Sequence, residues 1–204
     1  MPRVNKVSAA RTRADAKRAV ILKGAKAIFL RDGFAGTSMD AVAAEAGVSK
    51  MTVYRHFGSK EDLFAGVITD LCDRIIDTDL DEMLKRSPQE ALRAYARKMI
   101  EIVFAPETIG LHRIVVAEGH RFPKLGRLFY ATGPQQCIDA LAQYLARNRK
   151  DPRFKLREPR RAAEEFLELL RGYAHLRVLL GLEKAPSGRD VQARIAAAVQ
   201  HVLI

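Results

Sequence analysis

Residues 37–63 read TSMDAVAAEAGVSKMTVYRHFGSKEDL, a stretch in which apolar, capping and glycine residues alternate in short blocks. Ser38 is a favourable N-cap, and the apolar residues after it recur at i, i+3, i+4 and i+7, on one face of a short helix. They are Met39, Val42, Ala43 and Ala46. Gly47 can adopt the left-handed conformation that ends a helix, and Ser49 is a second N-cap two residues later. These signals predict two short helices that cross steeply at a tight turn.

The second of these helices has distinct inner and outer faces. Val53 and Phe57 are one turn apart and point inward, whereas Met51 and Arg55 lie on the opposite side. An ordinary helical hairpin with a solvated outer face is the alternative. Small alanines in the first helix allow close helix approach, however, and a further helix begins with a capping signature at Ser59. The pattern favours a helix-turn-helix that enters the DNA major groove.

The segment from Ile21 to Leu63 resembles the N-terminal domain of the TetR family of bacterial transcriptional regulators. The resemblance lies in Ile21, Leu22, Ala25, Phe29, Gly33, Phe34, Thr37, Ala43, Ala46, Gly47, Val48, Ser49, Tyr54, Phe57, Lys60 and Leu63. Met51 departs from it, since the family often has glycine or another small residue at the start of the recognition helix. A methionine there would contact a thymine methyl group or restrict approach, so the base preference of relatives does not transfer to this chain.

Positive charge is concentrated in the same part of the chain. Of the formal charge of +11, residues 1–60 hold 12 Lys and Arg against 4 Asp and Glu, a net of +8. Residues 61–204 hold 23 against 20, a net of +3. This asymmetry is expected when the N-terminal part of a protein meets a polyanion. We expect the basic tail Arg3–Arg18 to be disordered without DNA, with an extra phosphate or minor-groove contact as a further possibility.

Composition argues against several other classes of protein. A hydrophobic content of 48% with 29% charged residues fits a globular protein, and no run approaches the ~18 apolar residues of a membrane span. The basic N-terminus lacks the apolar core of a signal peptide, so we expect a cytoplasmic protein with no membrane partner. Cys72 and Cys137 lack metal-binding spacing and are expected to be reduced and buried. A metal site at His112, Glu118, His120 and Cys137 is not expected, because Glu118 and His120 diverge by about 200° on a helix. No cofactor is expected.

Helical periodicity recurs from end to end, so we predict an all-α fold of about nine helices. They are expected at about 15–31, 38–46, 50–57, 59 to well past 76, 88–105, 107–120, 123–148, 159–182 and 187–203. Ser87 and Glu90 form a capping-box pattern, and Ser187 with Asp190 forms a second cap. We predict a helix-turn-helix DNA-binding domain with a basic arm in residues 1–66 and an effector-binding and dimerisation domain in residues 67–204.

Residues 111–130, LHRIVVAEGHRFPKLGRLFY, resemble the C-terminal domain of the AefR-like branch of TetR regulators. The likeness is carried by Arg113, Glu118, Arg121, Phe122 and Pro123. It implies an effector pocket among the middle helices. The candidate lining residues, for each of which core packing is the alternative, are Tyr95, Met99, Phe104, His112, Val116, His120, Phe129, Tyr130, Cys137, Tyr144 and Tyr173. Glu118 is expected to pair with Arg121 or Arg113, as a structural ion pair or as an anchor for a polar ligand.

The last two predicted helices are apolar over a broad part of their surface. The resemblance implies a homodimer in which these helices of two chains form a four-helix bundle, although a wholly intramolecular bundle is the alternative. A two-fold dimer would bring two recognition helices to successive major grooves, about 34–36 Å apart.

The prediction is therefore a homodimeric regulator, most simply a repressor whose affinity for a palindromic operator in double-stranded DNA falls when a small-molecule effector binds. Expected phosphate contacts are Thr37, Ser49, Thr52, Tyr54, His56 and Lys60, and expected base or backbone contacts are Lys50, Met51 and Arg55. The alternatives are a helical-bundle enzyme acting on a small hydrophobic substrate and a non-sensing architectural DNA-binding protein. We expect no enzyme, since the chain lacks a paired-carboxylate ExxH motif, a GxSxG elbow and a phosphate-binding glycine loop.

Overall fold

A computed structural model of the chain describes residues 4–76, 86–154, 156 and 158–203. The described residues contain ten helices, α1 Val4–Gly36, α2 Met39–Glu45, α3 Lys50–Phe57, α4 Lys60–Ile76, α5 Pro88–Val103, α6 Pro106–Glu118, α7 Pro123–Thr132, α8 Pro134–Arg147, α9 Pro159–Leu179 and α10 Gly188–Val202. The predicted all-α fold is confirmed. None of the helices in these ranges is long and apolar enough to cross a membrane. The predicted continuation of the fourth helix past Ile76 lies outside the described residues.

The chain divides into two compact units. The first unit is Met1–Asp70 with Ile114–Leu128, and the second is Leu71–Arg113 with Phe129–Ile204. The predicted division along the sequence, after residue 66, differs from this arrangement because Ile114–Leu128 joins the N-terminal residues. Phe122 explains part of the difference, since its ring packs edge-on against Phe34 with 5.1 Å between the ring centroids.

Helix α1 is longer than the sequence pattern predicts. It begins at Val4, whereas a disordered basic tail was expected as far as Arg18. No proline or glycine occurs between Val4 and Lys23, so nothing in the local sequence interrupts helical hydrogen bonding. The expected end at Gly33 is present as a break in the helical backbone, where Gly33 has φ 72° and ψ −179°.

The core of the first unit is built on α1 and α4. Ile21, Phe29 and Phe34 are fully buried, and Phe64 on α4 packs edge-on against Phe29 at 5.1 Å. Burial of side chains of this size stabilises the folded state by about 1.5–3 kcal/mol each. The short helices α2 and α3, which are too short to be stable alone, are therefore held by packing on this aromatic core.

In the second unit, α9 packs against α5, α8 and α10, and α10 also packs against α5. The predicted capping box at the start of α5 is confirmed, because the Ser87 hydroxyl accepts from the amide of Glu90 and the Glu90 carboxylate accepts from the amide of Ser87. A single antiparallel β-bridge joins Phe154 to Leu203 in the described part of the chain.

Two local predictions in the second half of the chain were wrong. The single helix expected over 123–148 is two helices, α7 and α8, because Gly133 leaves the helical region at φ −114° and ψ −95° and Pro134 starts the next helix. Ser187 precedes α10 as expected, but its side chain makes no capping hydrogen bond. The Asp190 carboxylate accepts a hydrogen bond from Arg194 Nε at 3.3 Å, one turn later on the same helix.

Candidate nucleic-acid interface

Helix α2 is fixed by its cap and by close contact with α1. The Ser38 hydroxyl accepts a hydrogen bond of 3.1 Å from the amide of Ala41, as the sequence predicts for an N-cap. Gly24 on α1 faces the end of α2, and a Cβ at this position would lie 3.1 Å from the amide nitrogen of Ala46. Glycine at residue 24 therefore allows α2 to pack against α1.

Helix α3 has a buried and an exposed side. Its Ser49 cap accepts a hydrogen bond of 3.2 Å from the Thr52 amide, and the two hydroxyl oxygens lie 2.8 Å apart. Val53 and Phe57 are buried, as predicted, and anchor the helix to the core of the first unit. The remaining side chains of α3 are thereby directed away from this core.

The exposed side of α3 carries Met51, Tyr54 and Arg55, which share one face because they are three and four residues apart. Met51 is 76% exposed and Tyr54 42% exposed. At the start of the helix, Lys50 Nζ lies 2.8 Å from Asp40 Oδ2 in an exposed ion pair with α2. Such pairs contribute about 0–1 kcal/mol, so the ammonium of Lys50 can exchange its carboxylate partner for a phosphate at low cost. His56 is half-buried, with its ring centroid 6.3 Å from that of Phe57.

Thr37 and Lys60, two of the expected phosphate contacts, make hydrogen bonds inside the first unit. The Thr37 hydroxyl is buried and donates to the carbonyl oxygen of Gly33 at 2.6 Å. Lys60 Nζ donates to the carbonyl oxygens of Phe34, Ala35 and Thr37 at 2.7, 3.3 and 2.9 Å. Both side chains therefore hold residues 33–37, which run from the break in α1 at Gly33 to the residue before the cap of α2 and which we call the α1–α2 turn.

Glu118 holds the same turn, a role that the sequence pattern does not predict. Its Oε1 accepts from the amide of Phe34 at 2.8 Å and its Oε2 accepts from the amide of Ala35 at 2.7 Å. The expected ion pairs of Glu118 with Arg121 or Arg113 are replaced by these contacts. Arg113 instead donates to the carbonyl oxygens of Leu179 and Val178 at the end of α9. Arg113 thus pairs carbonyl groups that the end of α9 leaves without helical partners, and Glu118 pairs amides that follow the backbone break at Gly33.

Three of the expected pocket residues cluster in the second unit, together with one that was not predicted. The His112 ring lies 5.1 Å from that of Phe129 and 5.3 Å from that of His175, and Phe104 lies 5.6 Å from His175. We call these four residues the ring cluster. Burial lowers the pKa of His112, and burial together with the charge of Arg171 lowers the pKa of His175 to about 4. Both imidazoles are therefore neutral at pH 7.

His175 could have been found from its position in the sequence. It lies on α9 among apolar residues at helical spacing, with Leu170, Ala174 and Val178 all buried on the same helix. A histidine on the buried face of such a helix is a candidate for the same cluster as the aromatic residues.

The other candidate pocket residues lie elsewhere. Tyr95, Met99 and Cys137 are buried, and the Tyr95 hydroxyl donates to the carbonyl oxygen of Cys137 at 3.0 Å. Cys137 and Cys72 are buried, as predicted, and the pKa of Cys72 is raised because its thiol hydrogen-bonds to Cys137 and is buried. Five candidate pocket residues remain. Tyr144 packs in the core against Phe154, and the other four are exposed. The exposed residues are Val116 and His120 in the first unit and Tyr130 and Tyr173 in the second.

Two family models match the chain and together cover most of its length. Residues 21–67 match the model described as bacterial regulatory proteins of the tetR family. Residues 90–204 match the model described as the C-terminal domain of AefR-like transcriptional repressors. The first range contains α2 and α3, and the second contains both Glu118 and the ring cluster.

Individual relatives agree with these models. The HTH-type transcriptional regulator YfiR of Bacillus subtilis is 40% identical over 77 residues, which are 38% of this chain and 34% of that protein. A TetR-family transcriptional regulator of Mesorhizobium loti has a TM-score of 0.76 and 25% identity, covering 94% of this chain and 99% of its own. The flavonoid-responsive regulator FrrA has a TM-score of 0.69 and 36% identity, covering 91% of this chain and 94% of its own. The chain spans about a third of the length of YfiR.

Proposed function

The chain belongs to the TetR family of bacterial transcriptional regulators, with an AefR-like C-terminal domain, and from this premise we propose that it is a homodimeric, ligand-responsive repressor. Its operator is a palindromic DNA duplex read by α3. The observation that carries the DNA-binding part of the proposal is the α3 surface, where Met51, Tyr54 and Arg55 are exposed on one face of a helix whose other face is locked into the core.

We assign the contacts on this surface by exposure and chemistry. Arg55 and Met51 are the proposed base readers, since a guanidinium can bind guanine through two hydrogen bonds and a thioether side chain can pack on a thymine methyl group. Proposed backbone contacts come from polar groups around the same helix, namely Ser49, Lys50, Thr52, Tyr54 and His56. These contacts would set the register on the duplex, and the two base readers would set the sequence.

An apolar stripe on α9 supports the proposed dimer. Three exposed residues follow one another at helical spacing after the break in the helical backbone at Gly172, namely Tyr173 (78% exposed), Leu176 and Leu180 (64% exposed). The apolar residues of α10 are used differently, because Ile195, Ala198, Val199 and Val202 are buried in the second unit. A contiguous exposed apolar face of this kind is typical of protein–protein interfaces. We propose that the stripe packs on its counterpart in a second copy about a two-fold axis.

The ring cluster supports the proposed effector response. The four rings form a polarisable cluster in which neighbouring centroids lie 5.1–5.6 Å apart, and neutral imidazoles can both donate and accept hydrogen bonds. One turn before His112 on α6, the buried Thr108 hydroxyl oxygen has no hydrogen-bond partner among the described residues. Because FrrA is named as flavonoid-responsive and is 36% identical, we propose a flat aromatic effector that stacks on these rings and hydrogen-bonds to Thr108.

Selection from a random duplex library tests the DNA-binding proposal for an operator of any sequence. We expect the purified protein to enrich an inverted repeat whose half-sites are centred about 10–10.5 base pairs apart, or a multiple of that spacing. Arg55→Ala is the matched variant and should lose the enriched base at one position of each half-site. A library that gains no common sequence would refute a sequence-reading regulator, and uniform binding would indicate an architectural protein.

The effector proposal is tested by titrating the enriched duplex with flavonoids and other flat aromatic compounds. A compound that lowers operator affinity should lose this effect in Phe129→Ala, while operator affinity without the compound stays unchanged. Val116→Ala, which shortens an exposed side chain of the first unit, is the control variant. An effect of the compound that survives in Phe129→Ala would place the effector away from the ring cluster.

A further inference from the structure

The α1–α2 turn is held by charged side chains of opposite sign. The Lys60 ammonium donates to three backbone carbonyl oxygens of the turn, and the Glu118 carboxylate accepts from two of its backbone amides. The turn precedes α2 directly, and Ser38, the cap of α2, is the next residue after it. The position of the turn therefore sets where α2 begins, and with it the position of α3, which packs against α2.

The carboxylate of Glu118 is bound with both oxygens in use. Oε1 accepts a hydrogen bond of 2.8 Å from the Phe34 amide, and Oε2 accepts one of 2.7 Å from the Ala35 amide. Two successive N–H groups therefore point at one carboxylate. Hydrogen bonds to an ionised acceptor are shorter and stronger than those between neutral groups. A helical amide bonds to a carbonyl oxygen of the preceding turn, and the backbone break at Gly33 interrupts this pattern, so Glu118 supplies the acceptors for these two amides.

Gly33 makes this arrangement possible. Its φ of 72° lies in the left-handed region, and a Cβ at residue 33 would lie 2.7 Å from Oε1 of Glu118. Any larger residue would be strained in its backbone and would also displace the carboxylate. Phe122, four residues after Glu118, packs its ring edge-on against Phe34 at 5.1 Å. The position of Glu118 in the first unit thus depends on its fit to Gly33, and Phe122 supports the same turn through Phe34.

We propose that Glu118 is a positioning residue for DNA binding, whose carboxylate holds the amides of Phe34 and Ala35 and so keeps α2 and α3 in the orientation that reads the operator. The inference rests on the proposed operator binding by α3. It gives a role to a residue of the C-terminal family model, residues 90–204, in holding backbone that belongs to the N-terminal model, residues 21–67.

Glu118→Gln is the first test variant, because the amide keeps the length of the side chain but replaces one acceptor oxygen with a donor group. We expect operator affinity to fall by about tenfold, the change that corresponds to the loss of one hydrogen bond to a charged group. The dependence of affinity on salt should keep its slope, since no phosphate contact is lost. Amide hydrogen exchange of Phe34 and Ala35 should become faster, while exchange in α9 stays as in the wild type.

Glu101→Gln on α5 removes the same charge from an exposed residue outside the first unit and is the matched control, with wild-type behaviour in every measurement expected. Glu118→Asp keeps the charge but shortens the reach, so it should show both effects to a smaller extent. It also keeps the test decisive if Glu118→Gln does not fold. All binding is measured at temperatures where circular dichroism shows folded protein.

Wild-type affinity together with wild-type exchange of Phe34 and Ala35 in either Glu118 variant would overturn the proposal. A lower affinity with a changed salt slope would also overturn it, because Glu118 would then act through the number of phosphate contacts. Failure of the wild-type protein to select any duplex would remove the proposed operator binding instead. In that case, wild-type amide hydrogen exchange of Phe34 and Ala35 in the variants would still refute the proposal that Glu118 fixes the turn.

Discussion

Lys60 Nζ donates a hydrogen bond of 2.7 Å to the carbonyl oxygen of Phe34, and the same ammonium lies 4.7 Å from the centroid of the Phe34 ring. Two further bonds go to the carbonyl oxygens of Ala35 and Thr37. An ammonium group has three N–H donors, and here each has a backbone acceptor. Lys60 was expected from the sequence to bind phosphate. Its observed hydrogen bonds instead stabilise the backbone of the α1–α2 turn.

Replacing Lys60 with methionine should therefore weaken the turn more than it weakens phosphate binding. The variant keeps the apolar stem but leaves three carbonyl groups without their donor, so we expect a loss of about 1–3 kcal/mol in the free energy of unfolding. Operator affinity should fall while its salt dependence keeps the wild-type slope. Urea unfolding and binding titrations at several salt concentrations measure the two quantities.

Lys50→Met is the control for this measurement, because Lys50 is exposed beside α3. Its removal should reduce the salt slope by about 0.9, the contribution of one phosphate contact, with little change in stability. A comparable reduction of slope in Lys60→Met would show that the Lys60 ammonium leaves the turn to bind phosphate when DNA is present.

Met51 should determine part of the base preference. It is the most exposed large apolar residue of α3, at 76%, and lies one turn from Arg55. We expect Met51→Ala to relax a thymine preference at one position of each half-site, because the contact with the methyl group is lost. The free energy of unfolding should change by less than about 0.5 kcal/mol, as is usual for exposed positions. Parallel duplex selections with both proteins measure the preference, and identical profiles would exclude base contact by Met51.

A charge in the apolar stripe of α9 should separate the proposed dimer. Leu176 is 48% exposed in the middle of the stripe, and a two-fold interface would bring two such residues close to the axis. Leu176→Glu should therefore place unpaired carboxylates in the interface and yield a monomer with at least about tenfold weaker operator binding. Sedimentation equilibrium measures the mass. Val116→Glu, at a 69% exposed residue of the first unit, should leave the mass unchanged. A Leu176→Glu protein of unchanged mass would contradict an interface on this stripe.

The pKa of His175 predicts how stability depends on pH. The folded state holds this pKa at about 4, chiefly through burial and also through the nearby Arg171 and His112. The unfolded chain, with an ordinary histidine pKa of about 6.5, binds more protons between these values, so stability falls as pH decreases from about 6.5 to about 4. The contribution of His175 to this fall is at most about 3 kcal/mol.

His175→Leu removes the titrating group, so the variant should lose less stability than the wild type over the same pH interval. Urea unfolding at several pH values gives the two slopes, and the comparison of slopes is independent of the absolute stability of the variant. Because the pKa of His112 is also lowered, the free energy of unfolding of the variant should still fall with decreasing pH, but less steeply than in the wild type. Equal slopes in both proteins would mean that His175 is protonated in the folded state at pH 5.

Local chemistry was predictable wherever the interacting residues are close in the sequence. The cap at Ser38, the cap at Ser49 and the capping box at Ser87 are all present, because each involves a side chain and an amide three residues apart. The break between α7 and α8 was missed because apolar periodicity continues across it. The Gly133–Pro134 pair, which ends one helix and begins the next, carried the opposite signal.

The sequence by itself determined the family, the all-α fold and the two capped short helices α2 and α3, because helical periodicity, caps and turn glycines act within a few residues. Tertiary structure alone decided what Glu118, Lys60 and His175 do. The two oxygens of Glu118 meet amides that lie 84 and 83 residues away, and Lys60 meets carbonyl groups 23–26 residues away. Backbone groups carry no residue-specific signal, so a side chain that binds them across such distances leaves no pattern in the sequence to identify its partner.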